Sequence, residues 1–222
     1  MVQETAKNRL KWLAFCAIIG PIILTLAWII LGLIVPPFQN EYGINGGIIG
    51  TITSPISGIG VGPYGFLFNL SFILCGLFTI IGFLGVFLIL DNKYLKNHWI
   101  TFSLLILSPI GLIFAGVFNL AISVPLHMVG FLLAGGTPVI SFIVAGFYFR
   151  KYTILKYFGN SLFIGSILTL ILLIICFYAF DYEVIATGKG IAGIPSRLFT
   201  LEICFYYFRI GLLGIRQIKN NS

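Results

Sequence analysis

The amino-acid sequence predicts an all-α bundle that crosses a membrane six times, and three observations carry that prediction. Of the 222 residues, 59% are hydrophobic and only 9% are charged, with a mean hydropathy of +1.09. Soluble domains keep roughly 25% charged residues, so this chain is short of the polar surface that water requires. Its apolar residues gather into six runs near the ~20 residues that an α-helix needs to cross a bilayer. Its basic residues cluster between alternate runs, as the orientation of a membrane protein demands.

The runs cover residues 12–35, 64–90, 98–118, 125–149, 157–180 and 195–215. The first follows Lys7, Arg9 and Lys11, as the apolar core of a signal peptide would. It is far longer than the ~7–15 residues of such a core and ends in Val35-Pro36-Pro37 rather than in a small-residue cleavage site, so it reads as a retained span. The second is opened by Gly60-Val61-Gly62-Pro63-Tyr64-Gly65, a literal G-x-G-x-x-G. A dinucleotide site needs a strand before that pattern and an acidic residue after it, so the glycines here read as a tight turn into the membrane. Gly20-Pro21-Ile22, Ser108-Pro109-Ile110 and Thr137-Pro138-Val139 place a proline inside the first, third and fourth runs. Such prolines kink a helix and free a carbonyl, which neighbouring helices then satisfy. Thr137, Ser141 and Ala145 form a small-residue packing stripe on the fourth. The fifth carries no charge. The sixth is the least apolar, yet Leu198, Leu201, Phe205, Phe208 and Leu212 keep helical spacing.

With the N-terminus inside, the inner side receives Lys7, Arg9, Lys11, Lys93, Lys96, Arg150, Lys151, Lys156, Arg216 and Lys219. The outer side receives Lys189, with Arg197 at the boundary. The expected topology is therefore N-in/C-in, multi-pass, in the cell membrane, with long outer loops at 36–63 and 181–194. The first of these loops carries Glu41 as its one charge and is expected to fold back over the outer mouth of the bundle. Orientation accounts for the net charge of +7, so no nucleic-acid partner is expected. Cys16, Cys75, Cys176 and Cys204 all lie inside apolar runs, where cysteine packs as a small apolar residue. His98 and His127 begin spans at opposite ends, separated by most of a ~30 Å hydrocarbon layer. They cannot share a haem or a zinc ion, and no cofactor or metal is expected.

Charge inside a span marks the candidate site. An ionised side chain there costs about 2.5–3.5 kcal/mol on insertion scales and is by default a functional residue. The sixth run holds three such residues, Arg197, Glu202 and Arg209. Glu202, Tyr206 and Arg209 fall at i, i+4 and i+7, one stripe of one helix face. Glu202 and Arg209 are about 10.5 Å apart along the axis, too far for an ion pair, which leaves Tyr206 to bridge them. That face should point into the bundle, either as a polar pathway or as a packing network.

Arg197, Glu202, His127 and Asn119 occupy the outer third of their helices, and Ser57 belongs to the facing loop. Together they form the candidate ligand-binding set, and Arg197 suits phosphate or carboxylate because its fork donates parallel hydrogen bonds. A Ser57/His127/Glu202 triad can be drawn, but no G-x-S-x-G elbow supports it and no catalytic residue is assigned. The expected function is an outward-facing polar pocket that holds a lipid head group or small anionic molecule, with membrane lipids as partners. Two alternatives stay open: a secondary transporter using the Glu202/Arg209 stripe, or a membrane enzyme acting on lipid.

Ser54-Pro55-Ile56-Ser57-Gly58-Ile59-Gly60, followed by Gly62-Pro63-Tyr64-Gly65, resembles the first-loop signature of the domain-of-unknown-function 998 family, six-span membrane proteins of archaea and bacteria. Gly116-Val117-Phe118-Asn119 and then His127 are similar to that family's passage between helices three and four. Gly193-Ile194-Pro195-Ser196-Arg197 is similar to the opening of its last helix. Asn119 stands where a proline is common, and Ser196 where an acidic or amide residue is. The resemblance implies a six-span fold in a membrane, singles out Ser57, His127 and Arg197, and implies no activity.

Overall fold

The computed structural model describes residues 2–36, 47–94, 99–180 and 190–219. Within them the chain forms α1 (Val2–Ile34), α2 (Gly47–Thr53), α3 (Gly65–Tyr94), α4 (Trp99–Val117), α5 (Val124–Arg150), α6 (Lys156–Ala179) and α7 (Gly193–Lys219). Two 3-10 turns, Ile56–Val61 and Thr153–Leu155, join them, and among the described residues there is no strand. Six of the helices are long and apolar enough to cross a membrane, with spans at Asn8–Ile34, Gly65–Leu90, Trp99–Val117, Val124–Arg150, Thr153–Ala179 and Gly193–Gln217. The protein is an all-α, multi-pass membrane bundle. Helices are the natural solution there, because in hydrocarbon each backbone N–H and C=O must find its partner within the segment. Glu41, Asp181, Glu183, Lys189 and His98 lie outside the described residues.

The spans follow one another around the bundle. α1 packs on α3, α3 on α4, α4 on α5, α5 on α6, and α6 on α7, which closes the ring against α1 and also reaches α3. Small residues set the spacing, since apolar side chains gain little from one another in lipid and close backbone contact must supply the attraction. Gly85 of α3 lies so close to α1 that a Cβ there would fall 2.6 Å from the Ala14 nitrogen. Gly159 of α6 does the same against α5, 2.7 Å from the Gly146 carbonyl oxygen.

The prolines show how polar groups are settled inside the bundle. Pro138 has no N–H, so the carbonyl four residues earlier, on Ala134, loses its helical donor. Ser108 of α4 supplies one, donating from Oγ to Ala134 O at 2.5 Å. Tyr207 of α7, 1% exposed, donates in turn to Ser108 Oγ. One freed carbonyl thus ties α4, α5 and α7 together.

An even number of spans returns the start of α1 and the end of α7 to one end of the bundle. The other end, called here the loop end, is where α1 stops and α7 begins. There the segment 47–61 folds back onto the bundle: α2 packs on α1 and α7, and the 3-10 turn packs on α3, α1 and α7. Gly47, with φ 67°, opens α2 in the left-handed region that glycine adopts without strain.

Candidate functional site

The first turn of α7 holds the folded-back segment by its backbone. Ser196 Oγ accepts from Ile56 N at 3.0 Å and donates to Gly193 O at 3.1 Å. Arg197 Nη1 donates to Ser54 O at 3.2 Å and to Gly193 O at 2.9 Å. Ser196 and Arg197 are thereby fixed against residues some 140 positions earlier, which brings the Ser54–Gly60 and Gly193–Arg197 stretches into one place.

Arg197 is 6% exposed, and its Nε has no acceptor among the described residues. Among the described residues no carboxylate is paired with it. Its guanidinium carbon lies 5.8 Å from the ring centre of Trp28, whose indole Nε1 is also buried without an acceptor among the described residues. Two neighbouring side chains thus each bury a donor that has no acceptor among the described residues. Arg197 also borders a small cavity, about 10 Å³, with Thr51, Ser54 and Pro55. That is room for about one water-sized oxygen.

A larger cavity, about 60 Å³, lies on the other side of Pro55. Its walls are mainly apolar and aromatic, including Leu24, Leu112, Phe131, Phe180 and Phe199, and its polar lining comes from Ser57, His127, Ser196 and Thr200. His127 sits in the first turn of α5, behind the N-cap Ser123, whose side chain accepts from Leu126 N at 3.4 Å. Its Nδ1 is 3.2 Å from Ala115 O and 3.0 Å from Phe118 O at the end of α4. Two carbonyl acceptors put the proton on Nδ1, which leaves Nε2 of the neutral ring as an acceptor. Ser57 makes no side-chain hydrogen bond among the described residues, whereas Ser71, Ser108, Ser161 and Ser166 all donate to backbone carbonyls. The cavity therefore offers one spare hydroxyl and one spare acceptor.

Asn119 stands apart from this arrangement. Its Oδ1 accepts from Ala121 N at 2.9 Å and Ile122 N at 3.1 Å, closing the turn between α4 and α5, and it borders a separate groove with Gly60, Asn69 and Gly116. Glu202, 8% exposed, points elsewhere too. The Thr169 hydroxyl of α6 lies 2.9 Å from the Glu202 Oε1 and 2.8 Å from Oε2, and its one proton is shared between this carboxyl group and Gly165 O, 2.8 Å away. Tyr206 packs against Gly165, where a Cβ would come within 2.6 Å of its ring, and no hydrogen bond joins it to Glu202 or Arg209 among the described residues. Arg209 is held over three rings instead, 5.4 Å from Phe158, 5.6 Å from Phe205 and 5.8 Å from Tyr206.

Trp28 and Thr169 had no signal in the sequence, because a tryptophan and a threonine in apolar runs are ordinary until a partner across the bundle is known. Among the described residues no three His, Cys, Asp or Glu side chains gather as a metal site would require.

Comparison with known proteins adds a family. The sequence model of a family described as "Protein of unknown function (DUF998)" matches residues 18–213, a stretch that contains every element of both cavities. No curated protein and no solved structure matches the chain.

Proposed function

We propose that this chain, which belongs to the DUF998 family and is a multi-pass membrane protein, holds a lipid head group or small anionic molecule in a pocket at the outer face of its bundle. The observation that carries the reading is the pair of spare donors, Arg197 Nε and Trp28 Nε1, buried on neighbouring side chains with no acceptor among the described residues. A buried cation with a donor to spare is costly, and an anionic oxygen accepting from Arg197 would offset that cost. The adjoining apolar cavity, with its single spare hydroxyl and spare imidazole nitrogen, suits a ligand that is polar at one point and apolar beyond it. The basic clusters, gathered at the opposite end from Arg197, support an outward-facing pocket. Glu202 and Arg209 already have Thr169 and three aromatic rings, which favours binding at the loop end over a charged route through the bundle.

Native mass spectrometry with lipid extraction of the purified protein tests the reading. The wild type should retain an anionic species and the Arg197→Gln variant should lose it. Titration of the stripped protein with inorganic phosphate and, separately, with anionic-lipid micelles distinguishes a free anion from a head group. If the wild type retains nothing and neither probe binds more tightly to it than to the variant, the function fails.

A further inference from the structure

The helix that covers Arg197 is built inside out. α2 reads Gly-Ile-Ile-Gly-Thr-Ile-Thr from Gly47 to Thr53 and carries no charge. Its two glycines, Gly47 and Gly50, are buried against the bundle. Its isoleucines face away: Ile48 is 69% exposed, Ile49 61% and Ile52 46%. A short helix lying on a protein in water would do the reverse, since burying apolar area is what drives it onto the surface.

The polar groups of α2 are also hidden as they would be in lipid. Thr51 Oγ1 donates to Gly47 O at 3.2 Å and Thr53 Oγ1 to Ile49 O at 2.9 Å, so both hydroxyls are turned back onto the helix's own carbonyls. The neighbours on either side continue the same surface. On α1, Gly32 meets Thr51 Oγ1, with a Cβ there 3.3 Å from it, and Ile30, Leu33 and Ile34 are exposed beside that contact. On α7, Gly193 abuts the Ile52 backbone, with Ile194 and Leu198 exposed next to it. α2 thus lies level with the last turn of α1 and the first turn of α7, between two apolar flanks that belong to membrane spans.

We propose that α2 is a re-entrant helix immersed in the bilayer, its Ile48, Ile49 and Ile52 face lying in the acyl-chain boundary of the leaflet that contains the loop end. The occupant of this face is lipid. The small cavity beside Arg197 then lies under a membrane-embedded cover and opens to the lipid phase. That consequence rests on the binding reading above, and names a membrane lipid rather than a dissolved anion as the ligand's source.

Photo-crosslinking tests the placement of α2 whether or not Arg197 binds anything. The full chain is reconstituted in phospholipid vesicles with p-benzoylphenylalanine at position 49 or, separately, at position 52, and position 140 serves as the control. Ile140 is 61% exposed on α5, inside a span. After irradiation, mass spectrometry should find phospholipid acyl adducts at 49 and 52 as it does at 140. Two positions guard against one variant failing to fold. Loss of the lipid adduct at both, with the control adduct retained, overturns the proposal, and so does a crosslink from either to a second copy of the chain.

Discussion

The first turn of α7 and the turns that follow it treat charge in different ways. Further along the helix, Glu202 faces the Thr169 hydroxyl and the Arg209 guanidinium lies over the faces of Phe158, Phe205 and Tyr206. In the first turn, Arg197 has two backbone carbonyls for one nitrogen and, among the described residues, no acceptor for its Nε. A buried charge is therefore a poor guide to function until its partners are counted. A charge with a partner across the bundle fixes helices, and a charge with a donor to spare is the one the proposed binding uses.

The largest effect should come from breaking the contact between Thr169 and Glu202. Thr169→Val removes the one side-chain donor that Glu202 has among the described residues, and leaves a buried carboxyl group facing a methyl. Leaving such a group unsatisfied should cost roughly 3 kcal/mol of stability, measured by reversible unfolding in detergent. Retention of ligand should be unchanged in the protein that remains folded. A loss of well under about 1 kcal/mol would show that Glu202 is satisfied by another group, and the contrast within α7 would dissolve.

The sequence makes one side of this contrast legible and hides the other. Six apolar runs and the placement of lysine and arginine suffice for an all-α, six-span bundle, because span length and charge are local properties of the chain. Arg197, Glu202 and Arg209 are conspicuous for the same reason, each being an ion in an apolar run. What the sequence cannot carry is the partner. Thr169 lies 33 residues from Glu202 and Ser54 lies 143 from Arg197, so neither pairing has a spacing that could announce it. Asn119 illustrates the same limit from the other side. Its place at the loop end is readable, but whether its oxygen faces a ligand or its own turn depends on the turn's geometry. α2 was equally hidden, since glycines and isoleucines in a seven-residue stretch give no helical period to read.

A smaller effect is expected at Arg209. Arg209→Gln removes the cation from the three rings and should cost about 1–2 kcal/mol, the range for partly desolvated cation–π contacts. Arg209→Lys keeps a cation over the same rings and should recover part of that loss. Equal losses in Gln and Lys would mean that the planar guanidinium, rather than the charge, is what the rings hold. In that case Arg209 resembles Arg197 more than the contrast allows.

The smallest change in intrinsic stability should come from the residue most important to the proposed function. Arg197→Gln forfeits charge-assisted hydrogen bonds to Ser54 O and Gly193 O, worth at least about 1.5 kcal/mol each. It also removes a buried cation, whose insertion costs about 2.5–3.5 kcal/mol. These terms oppose one another, so the stripped variant should lie within about 1 kcal/mol of the stripped wild type, the scale of one neutral hydrogen bond. The difference should appear only with ligand. A species that binds the folded state alone adds about 2.7 kcal/mol at a hundredfold excess over its Kd, and anionic lipid should therefore raise the wild type's stability by that order while leaving the variant where it was. If the stripped variant instead falls by as much as Thr169→Val does, then Arg197 is a structural tie for residues 54–56, and its unpaired nitrogen is the residual cost of making that tie.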